Sequence, residues 1–76
     1  MTRFPAVTAG ETMRALRRAG FVVVRTSGSH HRVVHPDDPR RATTVAVHAS
    51  KTLKRGTLHN IIKQAGLTVE EFTALL

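Results

Sequence analysis

The sequence contains no cysteine, tryptophan or tyrosine, and it has only three phenylalanines and five acidic residues. The absence of cysteine excludes disulfide frameworks, thiolate zinc sites and cysteine nucleophiles. No apolar run approaches the roughly 18 residues of a membrane helix, and the N-terminus lacks the apolar stretch of a signal peptide. We therefore expect a cytoplasmic protein without membrane contact. The scarcity of aromatic rings argues against recognition of single strands by base stacking.

Positive charge is abundant, because twelve lysines and arginines give a formal net charge of +7. This balance favours a polyanionic partner, either a nucleic acid or an acidic protein surface. The length of 76 residues allows one domain with a small core, and no linker or repeat divides the chain. We expect a single domain over residues 1–76.

A capping box predicts the start of the first helix, because Thr8 and Glu11 can satisfy backbone N–H groups that the first turn leaves free. Apolar residues then recur about every three positions, and Gly20 provides a stop signal. The pattern predicts a helix over residues 9–19.

Two further helices are indicated in the second half of the chain. An apolar stripe at helical spacing is formed by Leu58, Ile61, Ile62 and Ala65. Gly66 closes this helix, and Thr68 with Glu71 forms a second capping box. The box predicts a short C-terminal helix with an apolar face from Val69 to Leu76.

Three strands are expected between the first two helices. The strands are predicted at Phe21–Arg25, His30–His35 and Thr43–His48, with a turn at 26–29 and a loop at 37–41. The connections are too short for parallel crossovers, so the strands should form an antiparallel meander. The result is an α+β domain of order α-β-β-β-α with a short extra C-terminal helix. Helices cover one face of its sheet and leave the other face for a partner.

Histidine is the only strong candidate for acid–base chemistry at neutral pH. His30 follows Gly28 and Ser29 at the start of a strand, where a side chain is fixed by the sheet yet can reach substrate. Gly28 allows a close approach of the backbone to a ligand. Arg25 and Arg32 flank the turn and could bind a phosphate. The alternative is that His30 is only a polar residue at a hairpin end.

The five histidines do not form a metal-binding pattern, and no metal or other cofactor is expected. His30 and His31 point to opposite faces of a strand, and His31 and His35 lie about 13 Å apart along it. His48 could approach the first hairpin from the third strand. His59 is expected to be a solvated residue of the second helix.

A second basic cluster precedes the second helix and consists of Lys51, Lys54 and Arg55. The N-terminal N–H groups of that helix would themselves favour a phosphate, so this cluster is the stronger anion site. The charged face of the first helix carries Arg14, Arg17 and Arg18, and such faces are usually only solvated. A sequence with many basic and few aromatic residues is better suited to recognising the shape and backbone of RNA than to stacking on its bases.

Two segments resemble the signature of HicA toxins. One is Gly28-Ser29-His30-His31 after a valine-rich strand, and the other is 56–67, with Gly-Thr-Leu at its start and Lys-Gln-Ala-Gly-Leu at its end. The order and spacing match over roughly residues 8–72. Two departures stand out: Val33 where the family often has an aromatic residue, and Ala46 where it often has proline.

The resemblance implies a double-stranded-RNA-binding-like fold and an mRNA interferase, which is an endoribonuclease, from a toxin–antitoxin pair. It implies that His30 occupies the catalytic position. It also implies a HicB antitoxin that masks the active site. Binding to operator DNA would occur only through the toxin–antitoxin complex.

A mechanism without a metal can be written from the residues present. Arg25, Arg32 or Lys54 would neutralise the scissile phosphate, while His30 acts as base on the 2′-hydroxyl or as acid on the leaving 5′-oxygen. His48 or a water would supply the second proton-transferring group. The expected RNA contacts are Gly28, Ser29, Arg25, Arg32, Lys51, Lys54 and Arg55. The alternatives are a non-catalytic RNA- or DNA-binding module, with His30 as one more contact, and a domain that docks on an acidic protein.

Overall fold

A computed structural model describes residues 3–48 and 51–76 of the chain. Its elements, in chain order, are α1 (Ala9–Arg18), β1 (Val22–Ser27), β2 (His30–His35), β3 (Asp38–Ala46), α2 (Arg55–Gln64) and α3 (Val69–Ala74). The strands form an antiparallel sheet of order β1-β2-β3. The expected α+β order with a short C-terminal helix is therefore confirmed. None of the helices described has the length and apolarity needed to cross a bilayer.

Helix α1 is closed at both ends by local hydrogen bonds. Thr8 Oγ1 accepts from the Glu11 N–H at 3.1 Å, and Glu11 Oε1 accepts from the Thr8 N–H at 2.9 Å. At the other end the Phe21 N–H reaches back to the Leu16 carbonyl at 3.0 Å. This last bond needs a left-handed residue before it, and Gly20 supplies one with φ of 99°.

The junction between α2 and α3 follows the same rules. Gly66 has φ of 71°, and the Leu67 N–H bonds to the Ile62 carbonyl at 3.1 Å. Thr68 Oγ1 then accepts from the Glu71 N–H at 3.0 Å, and Glu71 Oε1 accepts from the Thr68 N–H at 2.8 Å. The second capping box is therefore confirmed.

The first hairpin is longer and tighter than predicted. Strand β1 covers Val22–Ser27 rather than 21–25, and the turn shrinks to Gly28 and Ser29. Gly28 has φ of 57°, so a tight turn is accessible here without steric cost. Phe21 lies outside the strand, and it is 3% exposed in the core.

The predicted loop at 37–41 and the strand at Thr43–His48 are wrong in their boundaries. Strand β3 begins at Asp38 and ends at Ala46, because a turn at residues 36 and 37 suffices to reverse the chain. Pro39 does not break the strand since β3 is an edge of the sheet, where proline need not donate to a ladder.

The helices bury one face of the sheet. The larger cluster of buried residues consists of Ala9, Met13, Leu16, Phe21, Val33, Val45, Ile61 and Ala65. A second cluster joins the helices to one another and consists of Val7, Ala15, Leu58, Ile62 and Phe72. Strand β2 supplies Val33 to the core while its neighbour Arg32 is exposed. The opposite face of the sheet is thus the one available to a partner.

Removal of the α1 cap tests the account of that helix. Thr8→Ala should lower the free energy of unfolding by about 1 kcal/mol, because the Glu11 N–H loses its acceptor. For a domain of this size that corresponds to a fall in Tm of roughly 4–8 °C. The matched control is Thr73→Ala, an exposed threonine inside α3, which should leave Tm unchanged or raise it. Equal losses in both variants would contradict the role of Thr8.

Both capping glutamates should make the fold sensitive to acid. The Thr8 N–H lowers the pKa of Glu11, and the Thr68 N–H lowers the pKa of Glu71. A carboxylate with a depressed folded-state pKa stabilises the fold above the ordinary glutamate pKa, and this contribution disappears as the pH falls through the lowered value. Urea unfolding between about pH 7 and pH 3 should show this loss, and Glu11→Gln with Glu71→Gln should flatten it. An unchanged slope in the double variant would rule out the two carboxylates as its source.

Candidate active site

His30 is the first residue of β2 and follows the turn directly. It pairs with Ser27 on β1 and with Ala46 on β3, so these three residues form one row on the uncovered face. The Ser29 carbonyl accepts from the Val47 N–H at 2.8 Å, which ties the turn to the end of β3. The exposed imidazole therefore stands on a backbone that is hydrogen-bonded on both sides.

The next row on the same face carries the two arginines singled out from the sequence. Arg32 pairs with Arg25 on one side and with Thr44 on the other. Arg32 Nη1 donates to Thr44 Oγ1 at 3.3 Å. Arg32 is two positions along the strand from His30, a spacing of about 7 Å. The expected association of His30, Arg25 and Arg32 is thus present on one surface.

A β-bulge places Arg25 on this surface. Val23 pairs with Val33, which faces the helices, whereas Arg25 pairs with Arg32 on the opposite face, and the register shifts between Val23 and Arg25. In a regular strand, residues two apart share a face, and Arg25 would point toward the helices. The extra residue, Val24, corrects this orientation, as bulges commonly do near functional sites.

A cleft of about 300 Å³ lies between the end of β3 and the start of α2. Its walls consist of Ala9, His30, Thr44, Ala46, His48, Lys51, Thr52, Leu53, Lys54, Thr57 and Ile61. The cleft brings His30 together with Lys51 and Lys54, three of the residues selected from the sequence. His48 lies two residues beyond the end of β3 and lines the same cleft as His30.

The basic side of the cleft is positioned by the segment that leads into α2. The Leu53 N–H bonds to the Val7 carbonyl at 2.8 Å, which fixes this segment beside the start of α1. Lys54 is the N-cap residue of α2, and its side chain does not cap the helix. Lys54 and Thr57 therefore border the cleft where the first N–H groups of α2 and the positive end of its dipole would attract an oxyanion.

Two other selected residues have different surroundings. The Arg55 guanidinium lies 5.0 Å from the centroid of the Phe4 ring and does not line the cleft. Gly28 has open space around it, because a Cβ built there meets no atom within 4 Å. No protein atom therefore obstructs a ligand at this backbone position, and the positive φ of Gly28 favours glycine in the turn.

The remaining histidines have separate neighbours. His31 faces the helices, and its Nδ1 lies 3.3 Å from Thr26 Oγ1. The His35 ring packs edge-on against Phe21 with centroids 5.2 Å apart, and His59 is exposed on α2. No three His, Asp or Glu side chains gather into a metal-binding group within residues 3–48 and 51–76.

The two departures from the resemblance have different settings. Val33 is 1% exposed in the helix-facing core, on the opposite face of β2 from His30. Valine in place of an aromatic residue therefore affects the packing of the core. Ala46 is the cross-strand neighbour of His30 and lines the cleft. Sequence reasoning missed Thr44 and Thr57 as cleft residues, because an isolated threonine carries no signal of its own.

Comparison with protein families matches residues 10–67 to the family described as HicA toxin of bacterial toxin–antitoxin. The chain belongs to the HicA toxin family. The matched range spans the whole sheet, the His30 hairpin and all of α2, and it includes every residue that lines the cleft except Ala9. No curated protein matches the sequence.

The candidate anion site at the start of α2 can be tested with a short single-stranded oligonucleotide as the polyanion. If Lys51 and Lys54 each contact one phosphate, Lys51→Ala with Lys54→Ala should reduce the slope of log K against log salt by about 1.4. The control is Arg3→Ala with Lys63→Ala, which also removes two positive charges, both at exposed residues outside the cleft, and should change the slope little. Indistinguishable slopes for both variants would mean that the lysines act only through net charge.

Proposed function

We propose that this HicA-family toxin is an mRNA interferase, a metal-independent endoribonuclease that cleaves mRNA at the His30 cleft. The observation that supports this most strongly is the presence of His30 and His48 in the walls of one cleft, beside Lys54 and Thr57. Two imidazoles can supply the base and the acid of a phosphoryl transfer at neutral pH.

The reaction requires two proton transfers and one exchange of bonds at phosphorus. One imidazole removes the proton of the 2′-hydroxyl, and the resulting oxygen attacks the adjacent phosphate. The bond from phosphorus to the 5′-oxygen breaks, and the second imidazole, protonated, donates its proton to that oxygen. The products are a 2′,3′-cyclic phosphate and a 5′-hydroxyl. We assign His30 and His48 to these two tasks, each worth roughly 10²- to 10⁴-fold in rate.

The developing charge on the phosphate needs fixed donors. Lys54 and the N-terminal end of α2 border the cleft on one side, and the row with Arg32 and Arg25 continues from it along the sheet face. Donors already held in place stabilise a transition state without reorganisation. RNA would thus be bound by its backbone, with Gly28 and Ser29 forming the edge of the surface next to His30.

A toxin of this kind requires a protein that controls it. We propose that a HicB-like antitoxin covers the His30 cleft and thereby prevents access of RNA. The exposed basic surface on this face complements an acidic partner. Operator DNA would be bound only by the toxin–antitoxin complex, in which the antitoxin provides the DNA contacts.

The primary test is incubation of a long mRNA with the protein in EDTA. The wild type should cleave, whereas His30→Ala should lose at least about 100-fold in rate and still bind RNA. The matched control is His59→Ala, which removes an exposed histidine outside the cleft and should cleave like the wild type. A further substrate with the same sequence in DNA should resist cleavage because it lacks the 2′-hydroxyl.

The alternative function is a non-catalytic RNA- or DNA-binding module. It predicts that the wild type binds RNA tightly without cleaving it, with or without added metal. Cleavage retained in His30→Ala would instead assign the chemistry to another residue and overturn the role of His30.

The division of labour between the two histidines can be tested with an activated substrate. A uridine 3′-aryl phosphate has a leaving group that departs without protonation, so loss of the acid should cost little on it. If His48 is the acid, His48→Ala should be severely impaired on RNA and nearly unimpaired on the aryl ester, whereas His30→Ala is impaired on both. Equal impairment of His48→Ala on both substrates would contradict an acid role.

A further inference from the structure

A second cleft of about 350 Å³ lies on the helix-covered side of the sheet, at the same end as His30. It is lined by Gly10, Met13, Arg14, Arg17, His31 and Val47. This cleft shares no lining residue with the first cleft.

Its polar groups are suited to an oxyanion. Arg14 and Arg17 are exposed residues of α1, and His31 is half-buried with its Nδ1 near Thr26 Oγ1. Guanidinium groups bind phosphate oxygens with paired, charge-assisted hydrogen bonds. The carboxylate on α1 is that of Glu11. The Glu11 carboxylate already accepts a hydrogen bond from the Thr8 N–H, which lowers the pKa of Glu11, and the positive charge of Arg14 helps to lower it. Arg17 and His31 therefore give this cleft more hydrogen-bond donors than acceptors.

The two clefts are neighbours through the backbone. His30 in the first cleft is followed by His31 in the second, and the two side chains lie on opposite faces of β2. Val47 lines the second cleft, whereas its two neighbours in sequence, Ala46 and His48, line the first. The two clefts therefore flank the same end of the sheet, where the β1–β2 turn and the end of β3 meet.

We propose that this second cleft is a binding site for the phosphates of RNA next to the cleavage site. The RNA chain passes around the end of the sheet, with the scissile phosphate at His30 and two flanking phosphates, one at Arg14 and one at Arg17. The inference rests on the proposed function, since it names a second contact of the same substrate. The proposed site gives the charged face of α1 a role in binding RNA. The charge of that face alone would also fit a face that is only solvated.

The test measures binding only, in the His30→Ala background, with a single-stranded RNA of about twelve nucleotides, within the usual range of small binding domains. Arg14→Ala with Arg17→Ala should reduce the slope of log K against log salt by about 1.4 and weaken binding about tenfold at low salt. The charge-matched control is Arg40→Ala with Lys63→Ala, which removes two positive charges outside both clefts. The control should change the slope much less.

Two further results decide the matter. Arg14→Lys with Arg17→Lys should restore most of the slope, because each lysine still neutralises a phosphate. Equal effects of the α1 variant and the control would overturn the proposal, as would an α1 variant that binds like its parent. Absence of cleavage by the wild type would refute the ribonuclease, and it would leave this binding measurement to be judged by the same criteria.

Discussion

Burial of Val33 decides which side chains of β2 reach solvent. It is 1% exposed against the helices, and the two-residue period of a strand then directs His30 and Arg32 to the opposite face. A slip of one residue would bury both polar side chains and expose the valine, at a large cost in free energy. The core thus enforces the orientation of the candidate catalytic group. The bulge at Val24 extends the same surface to β1.

The second constraint is the pairing of two segments far apart in sequence. Thr8 bridges Thr52, and the Leu53 N–H bonds to the Val7 carbonyl. These contacts hold the start of α2 against the start of α1 and beside the end of β3. Without them Lys54 would belong to a connection free to move away from His30. The proposed acid–base residues His30 and His48 therefore lie at the start of β2 and just beyond the end of β3, and the candidate anion-binding residue Lys54 lies on a segment that these contacts hold beside them.

Much of this architecture follows from local chemistry that a sequence displays. Both capping boxes, the glycine stops and the apolar stripe of α2 are encoded within a few residues, and each forms as predicted. The strand boundaries were less predictable, because Pro39 usually signals a break and only the edge position of β3 makes it acceptable. The bulge at Val24 was also hidden, since three consecutive valines carry no alternation that could reveal a shift.

The site itself was predictable only in part. His30 could be selected because a glycine-containing turn and a strand bracket it, and Arg32 follows at the spacing that shares its face. The proximity of His48 and Thr57 depends on how the end of β3 packs beside α2, which is a tertiary property. The position of the Arg55 guanidinium over the Phe4 ring, outside the walls of the cleft, is likewise a tertiary property that its charge alone does not indicate.

The central claim is that the cleft cleaves RNA through the 2′-hydroxyl with no metal ion. The most direct measurement is the chemical nature of the ends formed from a short RNA in EDTA, beside the same RNA carrying a 2′-O-methyl group at the cleaved nucleotide. Our account predicts a 2′,3′-cyclic phosphate and a 5′-hydroxyl, and no cleavage at the methylated position. Ends with a 3′-hydroxyl and a 5′-phosphate, formed only when Mg²⁺ is present, would contradict it.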